Sequence, residues 1–305
     1  MDLVDGLKAF VATAQTGSFT GAAERLGISN RLTSKYVAQL EYRMGARLLQ
    51  RTTRKVGLTP TGQALVARAS VLLDELDDMM GAVGAEAKGL SGLLRISAPV
   101  SFGEVYIADL LRRFAAPYPD LTVDLRLNDA YVDLAAQGID VAFRIGRPET
   151  ASLKARKLGA IKSSVVAAPD YLARSSAPRR PVDLMDHMCI VDTNRRDGGR
   201  WLFREDGEER VVSVPRRYMV NSARVARDWA VAGYGITYGP DFVLAEDIAA
   251  GRLVRLLEPY AAAEHPMNAI YLDGNVLPRK VRTLIDFAVK DVKERGILAA
   301  KQPSN

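Results

Sequence analysis

Residues 29–41 read SNRLTSKYVAQLE, and their spacing separates two kinds of chemistry. At about 100° per residue, Thr33, Val37, Leu40 and Met44 fall in one narrow arc with Tyr36 at its edge, so a helix here turns that stripe inward. Arg31, Ser34, Lys35 and Ala38 fall on the opposite arc. Two cations, a hydroxyl and a methyl on one face are either solvated or aimed at a partner. The neighbouring helix punctuation decides between these readings.

Upstream, Leu3, Leu7, Phe10, Val11 and Ala14 keep helical spacing as far as Gly17, a residue able to close a helix in the left-handed conformation. Ser18 caps a second helix, which turns Phe19, Ala22, Ala23 and Leu26 inward until Gly27 ends it. Only Ile28 intervenes before Ser29, a third capping residue. Two short helices joined by a tight glycine-containing turn form a helix-turn-helix, with SNRLTSKYVAQLE as its second helix. After Gly45, RLLQRTTRKVGLTP reads as a strand, a basic turn at Thr52 to Lys55, and a returning strand at Val56 to Leu58. That is a wing.

The charge is concentrated in the same segment. Residues 1–60 carry nine Lys or Arg against four acids, a net of +5, while the whole chain is +6. The remaining 33 bases and 32 acids nearly balance, so the basic excess predicts a polyanionic partner for the first fifth of the chain. A recognition helix directs its first turn into the major groove, where free amides favour phosphate and short polar side chains reach base edges. Ser29, Asn30, Arg31, Ser34 and Lys35 occupy that turn and the next, and Ala38 permits close approach. Arg54 at the wing tip suits the narrow, more negative minor groove beside it, flanked by Arg51, Thr52, Thr53 and Lys55.

These residues together resemble the winged helix-turn-helix of LysR-type transcriptional regulators. The resemblance runs through FVATAQTGSFTGAAERLGIS, SKYVAQLE and ARLLQRTTRKVGLTPTG. In that family the recognition helix usually begins Ser-Gln, then Pro or a small residue, and continues with an apolar residue, Ser, Arg and Gln. Here Asn30 stands for the Gln, Arg31 for the Pro or small residue, Thr33 for the apolar residue, Lys35 for the Arg and Tyr36 for the Gln, while Ser34 matches. The resemblance therefore implies that Thr33 joins the DNA-contacting set. It also implies a site preference that differs from that of relatives, because Lys lacks the bidentate fork of Arg and Asn is shorter than Gln.

From Thr59 and Pro60 a long helix carries Leu65, Ala69, Leu72, Leu76, Met79 and Val83 at alternating steps of four and three, an a/d seam that predicts dimerisation. Gly81 and Gly84 weaken its end. The resemblance implies the same pairing, as homodimer or homotetramer. Beyond AKGLSGL the pattern changes to strand-like runs at Leu93–Ser97, Thr122–Leu127 and Val141–Ile145. These alternate with helical stretches at Phe102–Phe114 and Tyr131–Gln137. A second set follows at Ser163–Ala168, Cys189–Val191, Val211–Val214, Tyr218–Val220 and Gly235–Tyr238, with a helix at Ala223–Ala232. A strand at Asn268–Leu272 and a helix at Pro278–Val289 close the chain.

The fold class expected is multidomain α/β. It comprises a winged helix-turn-helix over 1–60, a linker and dimerisation helix over 61–90, and an effector domain over 91–300. The resemblance implies that this last part is two-lobed and similar to periplasmic binding proteins, with lobe I at about 91–161 and 266–300 and lobe II at about 162–265. Ligands of open α/β sheets bind beyond the carboxyl ends of strands. RISAPVSFGE and YMVNSARVARDW each run from strand to helix at such a point, where Ser101 and Asn221 serve equally as caps or as pocket residues. The resemblance implies that Ser101, Asn128, Asp129, Asn221 and Ser222 face a small-molecule effector. Arg144 at a strand end suits an organic acid but fits a solvated or structural role at least as well, and Phe102, Trp201 and Tyr238 suit an aromatic compound.

Other functions find less support. The 305 residues are 48% hydrophobic and 26% charged, values ordinary for a globular chain, and no apolar run approaches the roughly 18 residues of a membrane span. The opening MDLVDGLKAF has acids where a signal peptide needs bases, which predicts a cytoplasmic protein and no membrane partner. One cysteine, Cys189, excludes an intrachain disulfide, and His187 and His265 lack metal-ligand spacing, so neither metal nor cofactor is expected. No GxSxG, HExxH, Walker or Rossmann pattern occurs, and two histidines leave little general-base machinery. A small-molecule binding protein without a regulatory role is a second reading, disfavoured by the intact recognition helix. The expected function is a non-enzymatic transcription regulator with double-stranded DNA and an effector as partners, and RNA polymerase as a further one.

Overall fold

A computed structural model describes residues 2–51, 56–82, 89–130, 133–146, 153–195, 198–262, 264–273 and 277–298. The basic turn Thr52–Lys55, Val83 of the heptad seam, and Tyr131 at the start of one expected helix lie outside these residues.

The N-terminal unit opens with α1 (Leu3–Thr16), α2 (Phe19–Leu26) and α3 (Asn30–Met44). Asp2, Ser18 and Ser29 each accept a backbone N–H at their helix starts, and Gly17, Gly27 and Gly45 close the helices at φ near 64°. Side-chain caps satisfy amides that a helix leaves orphaned, and glycine takes the left-handed closing position without steric cost. Strands β1 (Leu49–Arg51) and β2 (Val56–Leu58) pair antiparallel as the wing. Phe10, Val37, Leu40 and Leu48 form a fully buried core beneath them. Met44 departs from the expected inward stripe and is 46% exposed, because the helix is closing at Gly45 and has run past its neighbours.

Helix α4 (Pro60–Ala82) packs its first turns on the same core through Val66 and Ala69. Gly62 fits only because it lacks a side chain, since a Cβ there would stand 2.0 Å from the Leu48 carbonyl oxygen.

The chain then builds β3 (Gly92–Ala98), α5 (Val100–Phe102), a π turn (Gly103–Ile107) and α6 (Ala108–Ala115). Next come β4 (Leu121–Leu127), α7 (Leu134–Gln137), β5 (Val141–Ile145) and β6 (Leu153–Ile161). A second sheet begins with β7 (Ser163–Ala167), followed by α8 (Pro169–Arg174), β8 (Cys189–Asp192) and the hairpin β9 (Arg200–Glu205) and β10 (Glu208–Ser213). It continues through β11 (Tyr218–Val220), α9 (Ala223–Val231), β12 (Ile236–Pro240), α10 (Asp241–Ala249) and β13 (Val254–Leu256). Strand β14 (His265–Leu272) and α11 (Arg279–Arg295) return to the first sheet.

The first sheet has the order β4-β3-β5-β14-β6 and the second β11-β8-β12-β7-β13. The chain crosses between the sheets twice, from β6 to β7 and from β13 to β14, and Lys162 and Glu264 on the two crossings form an ion pair at 3.4 Å. Each sheet has its own apolar core, one around Phe102, Phe114, Phe143 and Leu284, the other around Trp201, Phe203, Ile236 and Tyr238. Among the described residues, no helix is long and apolar enough to cross a membrane.

Candidate nucleic-acid interface and effector cleft

Along α3, Thr33, Val37 and Leu40 are buried, whereas Ser29, Asn30, Arg31, Lys35 and Ala38 are exposed and Ser34 is half-buried. Thr33 corrects the sequence expectation. It is 0% exposed, and its hydroxyl donates to the Ser29 carbonyl at 3.1 Å, so its role is to seat the helix and not to touch DNA. The Asn30 amide donates to the Thr20 hydroxyl at 3.1 Å, which adds exposed Thr20 of α2 to the polar face. Its lone position in a Phe-Thr-Gly-Ala-Ala helix carries no periodic signal, and only the fold brings it beside Asn30.

The wing is pinned to this helix by Glu41, whose Oε1 accepts the Leu48 and Leu49 amides at 2.7 and 3.0 Å. Val56 N–H donates to the Gly17 carbonyl, which ties the returning strand to the turn between α1 and α2. Arg51 ends β1 opposite Val56. The two wing strands are therefore tied to α3 and to the turn before α2.

In the second half, three contacts among the described residues cross from the first sheet's lobe to the second. Phe102 meets Phe242 edge-on at 5.2 Å, the Arg224 guanidinium meets Glu104 at 2.9 Å, and the Asn194 amide donates to Asp129 at 2.7 Å. These contacts bring polar loops and helix starts of the two lobes against each other. Ser101 stands half-buried in the first turn after β3, and Asn128 and Asp129 are exposed beyond the end of β4. Asn221 faces them from beyond the end of β11, and the Ser222 hydroxyl caps α9 by accepting from Val225 N–H. The polar residues expected at the effector site thus lie on loops and helix starts of the two lobes, with Asp129 and Asn221 both bonded to Asn194.

The aromatic and cationic candidates are buried instead. Phe102 is 0% exposed and packs between Tyr106 and Phe242, because its position in the helical turn points it back into the core. Trp201 and Phe203 on the inner face of β9 are buried against Tyr238, with the Arg195 guanidinium 4.2 Å over the Tyr238 ring. Tyr238 does border a cavity of about 350 Å³ between β7 and the turn after β13, but that cavity is lined wholly from residues 162–264, within one lobe. Arg144 is 6% exposed. Its guanidinium donates to the Phe143 carbonyl, the Ser97 hydroxyl and the Ala130 carbonyl, so it shapes the 128–130 loop and is not a free ligand clamp. Cys189 is buried, which pushes its thiol up to about 12 and removes it as a nucleophile at neutral pH.

Asn194, Glu104 and Arg224 were not anticipated. Asn194 follows the carboxyl end of β8, where sheet topology favours ligands, and its backbone N–H on the Asp192 carboxylate aims it into the cleft.

Comparison with known proteins matches this arrangement part by part. Residues 4–63 match the bacterial regulatory helix-turn-helix of the lysR family, and residues 87–293 match the LysR substrate binding domain. The chain belongs to the LysR family of transcriptional regulators. It is 36% identical to the regulator PtxR of Pseudomonas aeruginosa over 280 residues, covering 92% of this chain and 90% of PtxR. The structure of CrgA, a LysR-type regulator from Neisseria meningitidis, superimposes with a TM-score of 0.62 at 29% identity, covering 94% of this chain and 98% of CrgA. The full-length Vibrio cholerae virulence activator AphB gives 0.60 at 30%, with 95% and 99% covered. This LysR-type regulator thus joins a DNA-binding helix-turn-helix to an effector-binding domain.

Proposed function

We propose that this regulator reads operator DNA through Ser29, Asn30, Arg31, Ser34 and Lys35 of α3, with Thr20 beside them and the basic wing turn Thr52–Lys55 following the backbone. The observation that carries this reading is the division of α3 into a fully buried stripe and an exposed polar face. The first 60 residues form the DNA-binding unit, residues 61–90 join two copies, and residues 91–300 hold the effector. The effector sits between the lobes, among Ser101, Asn128, Asp129, Asn221 and Ser222. By binding one lobe arrangement more tightly it shifts the balance between arrangements and so alters the spacing of paired recognition helices. Such a protein works in the cytoplasm without catalytic chemistry of its own.

Binding of the full chain to fluorescent genomic promoter fragments, measured by anisotropy over a salt series, tests the DNA reading. The expected result is a sequence-preferring complex that weakens steeply with salt. Binding without sequence preference would defeat it. For the cleft, Asn221→Trp fills the space between the lobes, and a metabolite that stabilises the native chain should lose its effect on this variant.

A further inference from the structure

The Asp129 carboxylate is already committed on both sides of the cleft. One oxygen accepts the Val100 N–H at 3.0 Å, where the chain leaves β3 and enters the helical turn. The other accepts the Asn194 side-chain amide at 2.7 Å from the opposite lobe. That same amide nitrogen also donates to the Asn221 carbonyl. The loop that presents Asp129 is held on three sides. Asn128 N–H donates to the Ala98 carbonyl at 2.9 Å, Asn128 Oδ1 accepts Ala130 N–H at 2.9 Å, and buried Arg144 reaches the Ala130 carbonyl at 3.4 Å. Asp129, Asn194 and Asn221 are nonetheless exposed, so a ligand entering the cleft meets them directly.

A backbone N–H from one lobe and a carboxamide from the other form a donor pair of the kind that receives a carboxylate ligand. We infer that Asp129 is the chain's own occupant of that position, and that it sets the charge of the effector. A ligand carboxylate finds these donors taken and a second negative charge beside it, while the neighbouring Glu104 and Arg224 neutralise each other across the lobes at 2.9 Å. Like charges at this range disfavour each other. The cleft therefore favours an uncharged or cationic ligand that donates a hydrogen bond to Asp129, such as an amide, alcohol or amine. Because Asp129 also ties the lobes together through Asn194, such a ligand competes with the interlobe contact. Binding thereby acts on the lobe arrangement.

This inference rests on the effector reading of the cleft, and the test separates the two. In the full-length chain, Asp129→Ala leaves the Val100 and Asn194 donors facing an empty position of carboxylate size. Thermal unfolding is compared in acetate, acetamide and chloride at matched ionic strength. The expected result is that Asp129→Ala loses stability and acetate restores at least half of the loss, while acetamide and chloride do not. The native chain should respond alike to all three. Equal stabilisation of native and variant protein by acetate, or a variant indifferent to it, overturns the inference. A carboxylate metabolite that saturably stabilises the native chain, and fails to do so with Asn221→Trp, also overturns it while leaving the effector cleft standing. Acetate rescue together with the absence of any Asn221-sensitive ligand among amines, amides and carboxylates would retire the effector reading and leave the placement of Asp129 intact.

Discussion

At the scale of single residues, the side chains proposed to read DNA and those that hold the helix alternate along α3. Lys35 is exposed and Ser34 half-buried on the outer face, one step from Thr33 at zero exposure. Replacing Ser34 or Lys35 with Ala should therefore change which operator sequences are preferred, with about 1 to 3 kcal/mol at stake for each good base contact. Selection from a random DNA pool checks this, and recovery of the native site by both variants would remove them from the reading set. Thr33→Val, by contrast, should leave the selected site unchanged. A second residue-scale case is Asp291, buried where it accepts the Tyr106 hydroxyl at 2.6 Å and pairs with the Arg113 guanidinium at 2.8 Å. Bonding to Arg113 holds its carboxyl below the usual range, and the Tyr106 bond adds to this. A depressed folded-state value means that this stabilisation is complete above the unfolded value near 4 and is lost as pH falls through the lower folded value. Asp291→Asn should cost about 2 to 4 kcal/mol at neutral pH, a little under a fully buried pair because Arg113 retains some water contact. Denaturant unfolding at descending pH should show the gap between native and variant protein narrowing below pH ~4, and a gap independent of pH would contradict the assignment.

At the scale of elements, the wing depends on one close approach that patterning does not reveal. Gly62 lies in the first turn of α4, where the Thr59 hydroxyl accepts its amide at 2.9 Å and its Cα faces the Leu48 carbonyl. Gly62→Ala should gain helix propensity of about 1 kcal/mol yet destabilise the N-terminal unit overall. A Cβ placed 2.0 Å from backbone oxygen forces the strand and helix apart. Hydrogen exchange localised to β1, β2 and α4 reads the loss, and unchanged protection would show that the turn yields. Elements with a strong period and clear caps were legible in the sequence: α1 to α3, the two wing strands and the β3–β5 core. Others were hidden for physical reasons. Strand β6, LKARKLGAI, carries consecutive charged residues over its exposed first half, so no alternation marks it. Helix α10 begins directly after β12 without a side-chain cap. Ser101 and Asn221 stood out as candidates because they follow strand ends, whereas Asn128 and Asp129 were marked only by the family resemblance. Phe102 and Tyr238 are turned into the core and Arg144 takes the structural role its strand-end position also allowed, because residue type announces chemistry while only packing decides direction.

At the scale of the whole molecule, the partner-facing surface of α4 bears on how two reading heads are held. Of the a/d seam, Ala69 is fully buried against its own domain and Leu65 and Leu76 are half-buried, whereas Leu72 is 56% exposed. Val83 lies outside the described residues, as does the Met79 side chain. Ala69 is spent on the chain's own core, and among the described seam residues Leu72 is the large apolar side chain most exposed to a second copy. A leucine that moves from this exposure into an interface contributes up to roughly 1.5 to 3 kcal/mol per protomer. A charge in its place would face its symmetry mate across a twofold axis. Leu72→Glu should therefore shift the native oligomer toward monomer in size-exclusion chromatography with light scattering. The consequence for DNA follows from tethering. Two linked helix-turn-helix units bind paired half-sites more tightly than one by about 10² to 10⁴, so the variant should lose roughly that factor on a full operator. On an isolated half-site it should keep its affinity. Equal loss on both DNAs would point to a damaged reading head, and an unchanged oligomer mass would place the seam elsewhere on the chain.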